Sequence, residues 1–366
     1  MEIKKDLKKE LNKKAQVFNQ PLTIDEKGLV KKISEKCIQL NKNNVTRTKA
    51  YLDFYRQFPH IHWAFLGHMV SRNGGWNMTD LKGEFLTRLI NDRTRKDFFS
   101  FLERGNWLIF QDVYPQYLLY EESLKRNQNL FHLLKHFGVS VFMETIWNDY
   151  WKRRDSYILT IAQIINEQSY LEKRVVQNPK YKDRVLNTIS FKLQDLLTLN
   201  HILFPAFDMK KPGGNSCLIG LSLHYFDSLH ERIMLGKRLY YLLFNNKEKL
   251  NEVLKWAISQ PHTGSRKDYW PEFFNDVKET NPGEGLAIRI KECQLKQGRE
   301  KIYSPQLEYA WNNLVQPKAE SGDWFDDWRV IEYFKKDEGN LDGNIKAEYC
   351  KTLETLEVAS LAKAIF

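Results

Sequence analysis

The sequence predicts an all-α protein, a large multi-helix bundle. Apolar residues recur every three or four positions through most of the chain. Period-two alternation is almost absent, and β-branched runs are few. Turn-forming residues concentrate in a few places, chiefly KKPGGN at 210–215 and the Pro-, Gly-, Asn- and Asp-rich stretch 260–285. No repeat of fixed period is visible, which argues against an α-solenoid.

Residues 1–16 place Ile3, Leu7 and Leu11 four apart among lysines, a basic amphipathic helix broken by QPLT at 20–23. A Lys-rich segment follows at 26–42, and NKNNVT reads as a loop. TKAYLDFYRQF is helical. IHWAFLGHMVSRN is a second helix, expected to end at Gly74-Gly75. Thr79 or Asp80 then caps a helix carrying Leu81, Phe85, Leu86, Leu89 and Ile90 on one face. Helices are expected near 94–126, with interruptions at Gly105 and Pro115, and near 128–153, 156–177 and 180–204. A long apolar stretch at about 216–245 reads as the central buried helix, followed by one at 247–259, an irregular loop near 260–285 and a helical tail. The expected organisation is a basic arm at 1–45 and a single large helical domain at 46–366. A subdivision near 210–215 is the one visible place to split it.

The 366 residues are 42% hydrophobic with 10 Trp, enough for a large core and too aromatic for a disordered chain. No apolar run approaches the roughly 18–20 residues that cross a bilayer. The Lys-rich start lacks an apolar signal-peptide region, so the expected location is cytoplasmic. The four cysteines, Cys37, Cys217, Cys293 and Cys350, form no CxxC pair, which excludes zinc-finger and thioredoxin-type spacing. They are expected to be reduced thiols. The net charge of +10 is unevenly spread, because residues 1–50 hold 13 of the basic and 6 of the acidic residues. The rest is nearly neutral, so nucleic acid or an anionic membrane surface is a candidate partner for residues 1–45 only.

HWAFLGHMVSRNGGWNMTD at 62–80 is the densest polar stretch in an apolar setting. At 100° per residue, His62, Arg72 and Asn73 fall inside the arc of Ile61, Phe65, Leu66, Met69 and Val70. Ala64, Gly67 and Ser71 form a small-residue face that suits a close neighbour. Polar groups on a buried face cost about 1–3 kcal/mol each unless paired. One reading is a site at the C-terminal end made of His68, Arg72, Asn73, Trp76, Asn77 and Asp80. The other is an internal network pinning the turn to the core. Three further constellations stand out. His224, Asp227 and Glu231 at i, i+3 and i+7 of the expected central helix would offer three ligands to a divalent metal, although no second carboxylate-x-x-His exists. PHTGSRKDYWP at 261–271 offers His262 and Arg266 beside small residues, an anion nest in one reading and a pinned loop in the other. His132 and His136 lack the Glu of HExxH, and neither a GxSxG nor a GxxxxGK[ST] motif occurs.

HWAFLGHMVSRNGGWNMTDLKG, SLHERIMLGKRLYYLL and PHTGSRKDYWP together resemble the YppC-like family of uncharacterised Bacillus-type proteins, from about residue 50 onward. The resemblance implies a bacterial cytosolic context and supplies no catalytic residue. Two functions are therefore expected. In the first, a buried pocket holds a small anionic or metal-bound ligand, with Arg72 and Arg266 on the anion and His68, Asp80 and His224 as acid–base groups. In the second, the basic arm docks the protein on nucleic acid or a membrane surface and the polar clusters are structural.

Overall fold

The computed structural model describes residues 2–13, 21–188, 200–207, 216–278, 288–336 and 343–365, and these are predominantly α-helical. The described helices of six residues or more are α1 (Glu2–Lys13), α2 (Ile24–Leu40), α3 (Asn44–Gln57), α4 (His62–Asp80), α5 (Glu84–Leu89) and α6 (Asp92–Arg126). They continue with α7 (Val141–Arg153), α8 (Ser156–Leu171), α9 (Leu229–Phe244), α10 (Lys247–Ser259) and α11 (Lys346–Ile365).

Side-chain caps start most of them. Thr23 and Glu26 close a capping box on α2, Asn43 caps α3, Asn91 caps α6, Ser140 caps α7 and Ser228 caps α9. α4 is the axis of the molecule. It lies along α3 and also touches α6, α8, α9 and the strand that follows α8. Fifteen of its nineteen residues are buried, which matches a helix enclosed on nearly all sides.

Four expectations are corrected. Gly74-Gly75 does not end α4, which continues to Asp80, so Thr79 and Asp80 sit in its last turn and cap nothing downstream. Two helical glycines cost about 1 kcal/mol each relative to alanine, and packing offsets the loss. A Cβ on Gly75 would lie 2.5 Å from His262 Nε2, so the glycine is what admits that side chain. Gly105 and Pro115 likewise do not interrupt α6, because residues on both sides of the proline (Val113, Tyr114, Gln116, Tyr117) are buried.

The third correction concerns the central helix. Residues 216–222 are a strand, β2 (Ser216–Ser222), paired antiparallel with β1 (His201–Phe207) in the register His201↔Ser222 to Phe207↔Ser216. The helix starts only at Leu229. Short apolar runs have no decisive period, and it is the pairing of two such runs that makes them strands. The KKPGGN loop between them lies outside the described residues. Of the expected helix at 180–204, Pro179–Leu186 forms a helical turn and residues 201–204 belong to β1, while 189–199 lie outside the described residues. FHLLKHF is a 3₁₀ turn (Phe131–Phe137) stopped by Gly138 at φ 77°, a left-handed conformation that suits glycine.

The fourth concerns the cysteines. Cys293 lies in a small hairpin, β4 (Ile290–Lys291) and β5 (Gln294–Leu295), after the β3 strand (Phe274–Asn275), which pairs with β6 (Ile302–Tyr303). The hairpin packs on α11, and Cys293 is disulfide-bonded to Cys350 there, with Cα atoms 5.3 Å apart. Nearby, Arg289 joins Glu84 of α5 (2.8 Å) to Glu357 of α11 (2.9 Å), so the tail is tied to the body by charge as well.

The basic first helix is seated on the body. Ile3 and Leu7 are buried against α7 and the Trp328–Phe334 turn, and the ammonium groups of Lys4 and Lys8 each lie 4.3 Å from the Trp328 ring centre.

Candidate functional site

The polar residues of α4 divide among three structural partners. Asn73 faces β1. Its Oδ1 accepts from Leu203 N–H at 2.8 Å and its Nδ2 donates to Leu203 C=O at 2.8 Å. The side-chain amide thus satisfies a strand backbone as a neighbouring strand would.

Arg72 reaches the end of α10. Its Nη2 donates to the carbonyls of Ala257 and Gln260, and its guanidinium lies 4.6 Å from the Trp256 ring centre. The carbonyls at a helix C-terminus carry partial negative charge, so they stabilise this buried cation, and the Asp268 charge acts in the same direction. Burial still lowers its pKa, to about 10. Arg72 Nε also donates to His68 Nε2 at 3.0 Å, while His68 Nδ1 donates to Thr48 C=O at 2.8 Å. Both imidazole nitrogens are therefore used and the ring is neutral. Burial, and then the Arg72 charge, push its pKa well below the ordinary value.

The third partner is the 261–271 loop. Arg266 Nε and Nη2 grip Asp80 at 2.9 and 2.6 Å. Nη2 also donates to Asn77 Oδ1 at 3.1 Å, and Nη1 to Tyr269 Oη at 2.8 Å. His262 meets Asn44 Oδ1 at 2.8 Å and packs edge-on to Trp76. Asp268 accepts from Thr263 N–H at 2.9 Å, and Thr79 Oγ1 donates to Gly264 C=O. The loop that could have been an anion nest is held to α4 by its own partners.

The structure thus brings Trp76, Asn77, Asp80, His262 and Arg266 together, pairs His68 with Arg72, and sends Asn73 to the strand. His224, Asp227 and Glu231 share no helical face. His224 and Asp227 are exposed on the β2–α9 connection, and Glu231 stands in the first turn of α9. The three-ligand stripe required one helix through all of them, and the strand removes it. Among the described residues no group of three His, Cys, Asp or Glu side chains could hold a metal ion.

The small-residue face of α4 leads elsewhere. Gly67, Ser71 and Gly74 border a cavity of about 230 Å³ between α3, α4, α6, α8, α9 and β1. Its walls are mainly apolar, with Trp63, Leu66, Leu102, Leu171, Phe226 and Leu239 among them. At its α3 side stand Arg47 and Tyr51, one turn apart and only 1% and 3% exposed. Arg47 Nη2 pairs with Glu103 at 2.5 Å and Nη1 donates to Asn41 at 3.1 Å. Arg47 Nε and Tyr51 Oη are buried with no hydrogen-bond partner among the described residues.

From α8, Glu167 also lines the cavity, accepting from Gln168 Nε2 at 3.0 Å. Burial pushes its carboxyl up to about 8, so it is mostly protonated at neutral pH. Arg232 of α9 completes the rim, held by Gln168 Oε1 at 3.0 Å and by Glu172. Sequence reasoning missed Arg47, Tyr51 and Glu167. The available signal was Arg47 and Tyr51 at i, i+4 beside an apolar face, and a lone Glu in the apolar run of α8.

The fold and cavity describe a helical protein with a small, mostly apolar pocket beside a rigid polar network. The chain belongs to the family described as "Protein of unknown function (DUF2515)", whose pattern matches residues 39–350. It is 41% identical over 254 residues to "Uncharacterized protein YppC" of Bacillus subtilis (strain 168), covering 69% of this chain and 77% of that protein. No solved structure matches the chain. None of its helices is long and apolar enough to cross a membrane among the described residues.

Proposed function

We propose that this protein binds a small organic molecule in the cavity along α4. The observation that carries the reading is a cavity of about 230 Å³ with mainly apolar walls, among which Asn77, Asn106, Gln168 and Arg232 supply polar side chains. Apolar walls with a few convergent polar groups are the usual composition of a ligand site. The 62–80 and 261–271 stretches serve it by rigidity. Asn77 touches both Arg266 and the cavity, so the network fixes one wall. In this reading Arg72 and Arg266 hold protein groups rather than an anionic ligand, and binding rather than turnover is the function.

Docking of the basic arm on nucleic acid or an anionic membrane has less support. The apolar stripe of α1 that would enter a membrane is spent on the body. The proposed setting is cytoplasmic. Cell fractionation checks it, and recovery of the protein outside the cytosolic fraction, where a Cys293–Cys350 disulfide persists, would refute it.

The test is thermal shift and isothermal titration with small aliphatic and aromatic probes, using Leu171→Trp to fill the cavity. Probes that raise the melting temperature of the parent and do nothing to the filled variant support the reading. A panel that leaves both unchanged, or shifts both alike, overturns it.

A further inference from the structure

The charges on the cavity wall define a ligand class, which rests on the cavity being the binding site. Three residues that line it are of charged type: Arg47, Glu167 and Arg232. Arg47 is paired with Glu103, and Arg232 with Glu172. Glu167 has no basic partner among the described residues. Gln168 is the reason. Its Oε1 accepts from Arg232 Nε at 3.0 Å, and its Nε2 donates to Glu167 Oε1 at 3.0 Å. The amide thus stands between the two groups, while Phe226 C=O and Glu172 take the rest of the Arg232 fork.

The other titratable groups near Glu167 do not supply a counter-charge. Asp112 of α6 acts on it with like charge. Tyr51 of α3 and Tyr117 of α6 feel its charge, and burial keeps both phenols neutral. Glu167 is also accessible where Arg47 and Tyr51 are not. It is only partly buried and lines the cavity, so a molecule inside meets it. In the empty cavity the carboxyl keeps its proton, because burial raises its pKa to about 8. A cation brought beside it favours the ionised form. An anion finds both arginines already committed, so nothing repays its desolvation.

We propose that the cavity binds an organic ammonium compound, a primary amine on an apolar body, with the Glu167 carboxylate as its counter-ion. The ammonium N–H groups donate to the carboxylate, and the proton that Glu167 gives up passes to the solvent. The apolar walls take the hydrocarbon body. At about 30 Å³ for each water-sized group, 230 Å³ accommodates roughly eight such groups. Medium-length alkylamines are therefore the matching size.

Three probes of similar size decide it: n-heptylamine, 1-heptanol and hexanoate, titrated into the full-length protein between pH 6 and 8.5, into Glu167→Gln and into Leu171→Trp. At pH 8 the amine is expected to bind roughly tenfold more tightly than the alcohol, the worth of one charge-assisted hydrogen bond. Its affinity should rise by up to about tenfold per unit below pH 8 and level off above, because binding must first remove the Glu167 proton. Calorimetry at pH 6.5 in two buffers of different ionisation enthalpy should show about one proton released per amine bound. The alcohol should show neither effect. Glu167→Gln should erase the amine preference, its pH dependence and the proton release, and leave alcohol affinity unchanged. Equal binding of amine and alcohol, with both excluded by Leu171→Trp, overturns the ammonium assignment and leaves the cavity reading intact. An amine preference that survives Glu167→Gln overturns the assignment of Glu167 as counter-ion. Tightest binding by hexanoate overturns the proposal in favour of an anion. Failure of all three probes to bind overturns both readings.

Discussion

Replacing Glu167 by glutamine tests whether the cavity wall holds a buried acid. The carboxyl lines an apolar cavity, accepts hydrogen bonds from Gln168 and Trp63, and still has its pKa raised from about 4.5 to about 8 by burial. A folded pKa above the unfolded value means that the folded state holds the proton more tightly. The contribution of this group to stability is then complete below pH 4.5 and is lost as pH rises through 8. Each pH unit in that window costs about 1.4 kcal/mol, so between pH 4.5 and 7 the parent should lose about 3 kcal/mol from this site alone. Glutamine cannot ionise and should remove the slope. The assay is urea unfolding of parent and Glu167→Gln at pH 4.5, 5.5, 6.5 and 7.5, comparing the difference between the two at each pH. Asp112, a second buried acid raised to about 7, titrates in both proteins, and because its charge acts on Glu167 the comparison is repeated with Asp112→Asn in both. The difference should grow in favour of the variant by about 3 kcal/mol across the series. A difference that stays flat with pH would mean that Glu167 is ionised and solvated, and the neutral-wall argument would fail with it.

Other substitutions probe the frame around the cavity. Gly75→Ala should destabilise the fold by about 1–3 kcal/mol in thermal melts, because its Cβ meets His262 and Asn44 with no room to relax. Arg266→Met leaves the Asp80 carboxylate without its clamp and should cost about 3–5 kcal/mol in urea unfolding. Retention of parental stability would show that the loop is not held by that pair. Leu7→Ala should cost about 2–5 kcal/mol if α1 is seated throughout. Hydrogen exchange in α1 as slow in the variant as in the parent would contradict the seating.

Much of the helical frame was legible in the sequence because it is locally encoded. The periodicity of TKAYLDFYRQF located α3 without reference to distant residues, although its Asn43 cap starts the helix at Asn44, inside the stretch expected as a loop. The polar density of 62–80 was equally legible as a fact, and so was the alternative that it pins the turn to the core. The identity of each partner was not. Arg72 is compensated by carbonyls of α10 and Asn73 by a strand backbone, and neither carries a side-chain signature that a sequence could show.

Local chemistry therefore determined the helical class, the basic first helix and the importance of α4. Tertiary structure decided the rest. It paired two apolar runs as β1 and β2, which dissolved the His224–Asp227–Glu231 stripe. It carried α4 through two glycines, Gly75 leaving space for His262 and Gly74 lying against Asn106. It also left the small face of α4 open as a cavity bordered by Arg47, Tyr51 and Glu167. A cavity is the space that packing of distant segments fails to fill. It has no local code, and its chemistry appears only once those segments are in place.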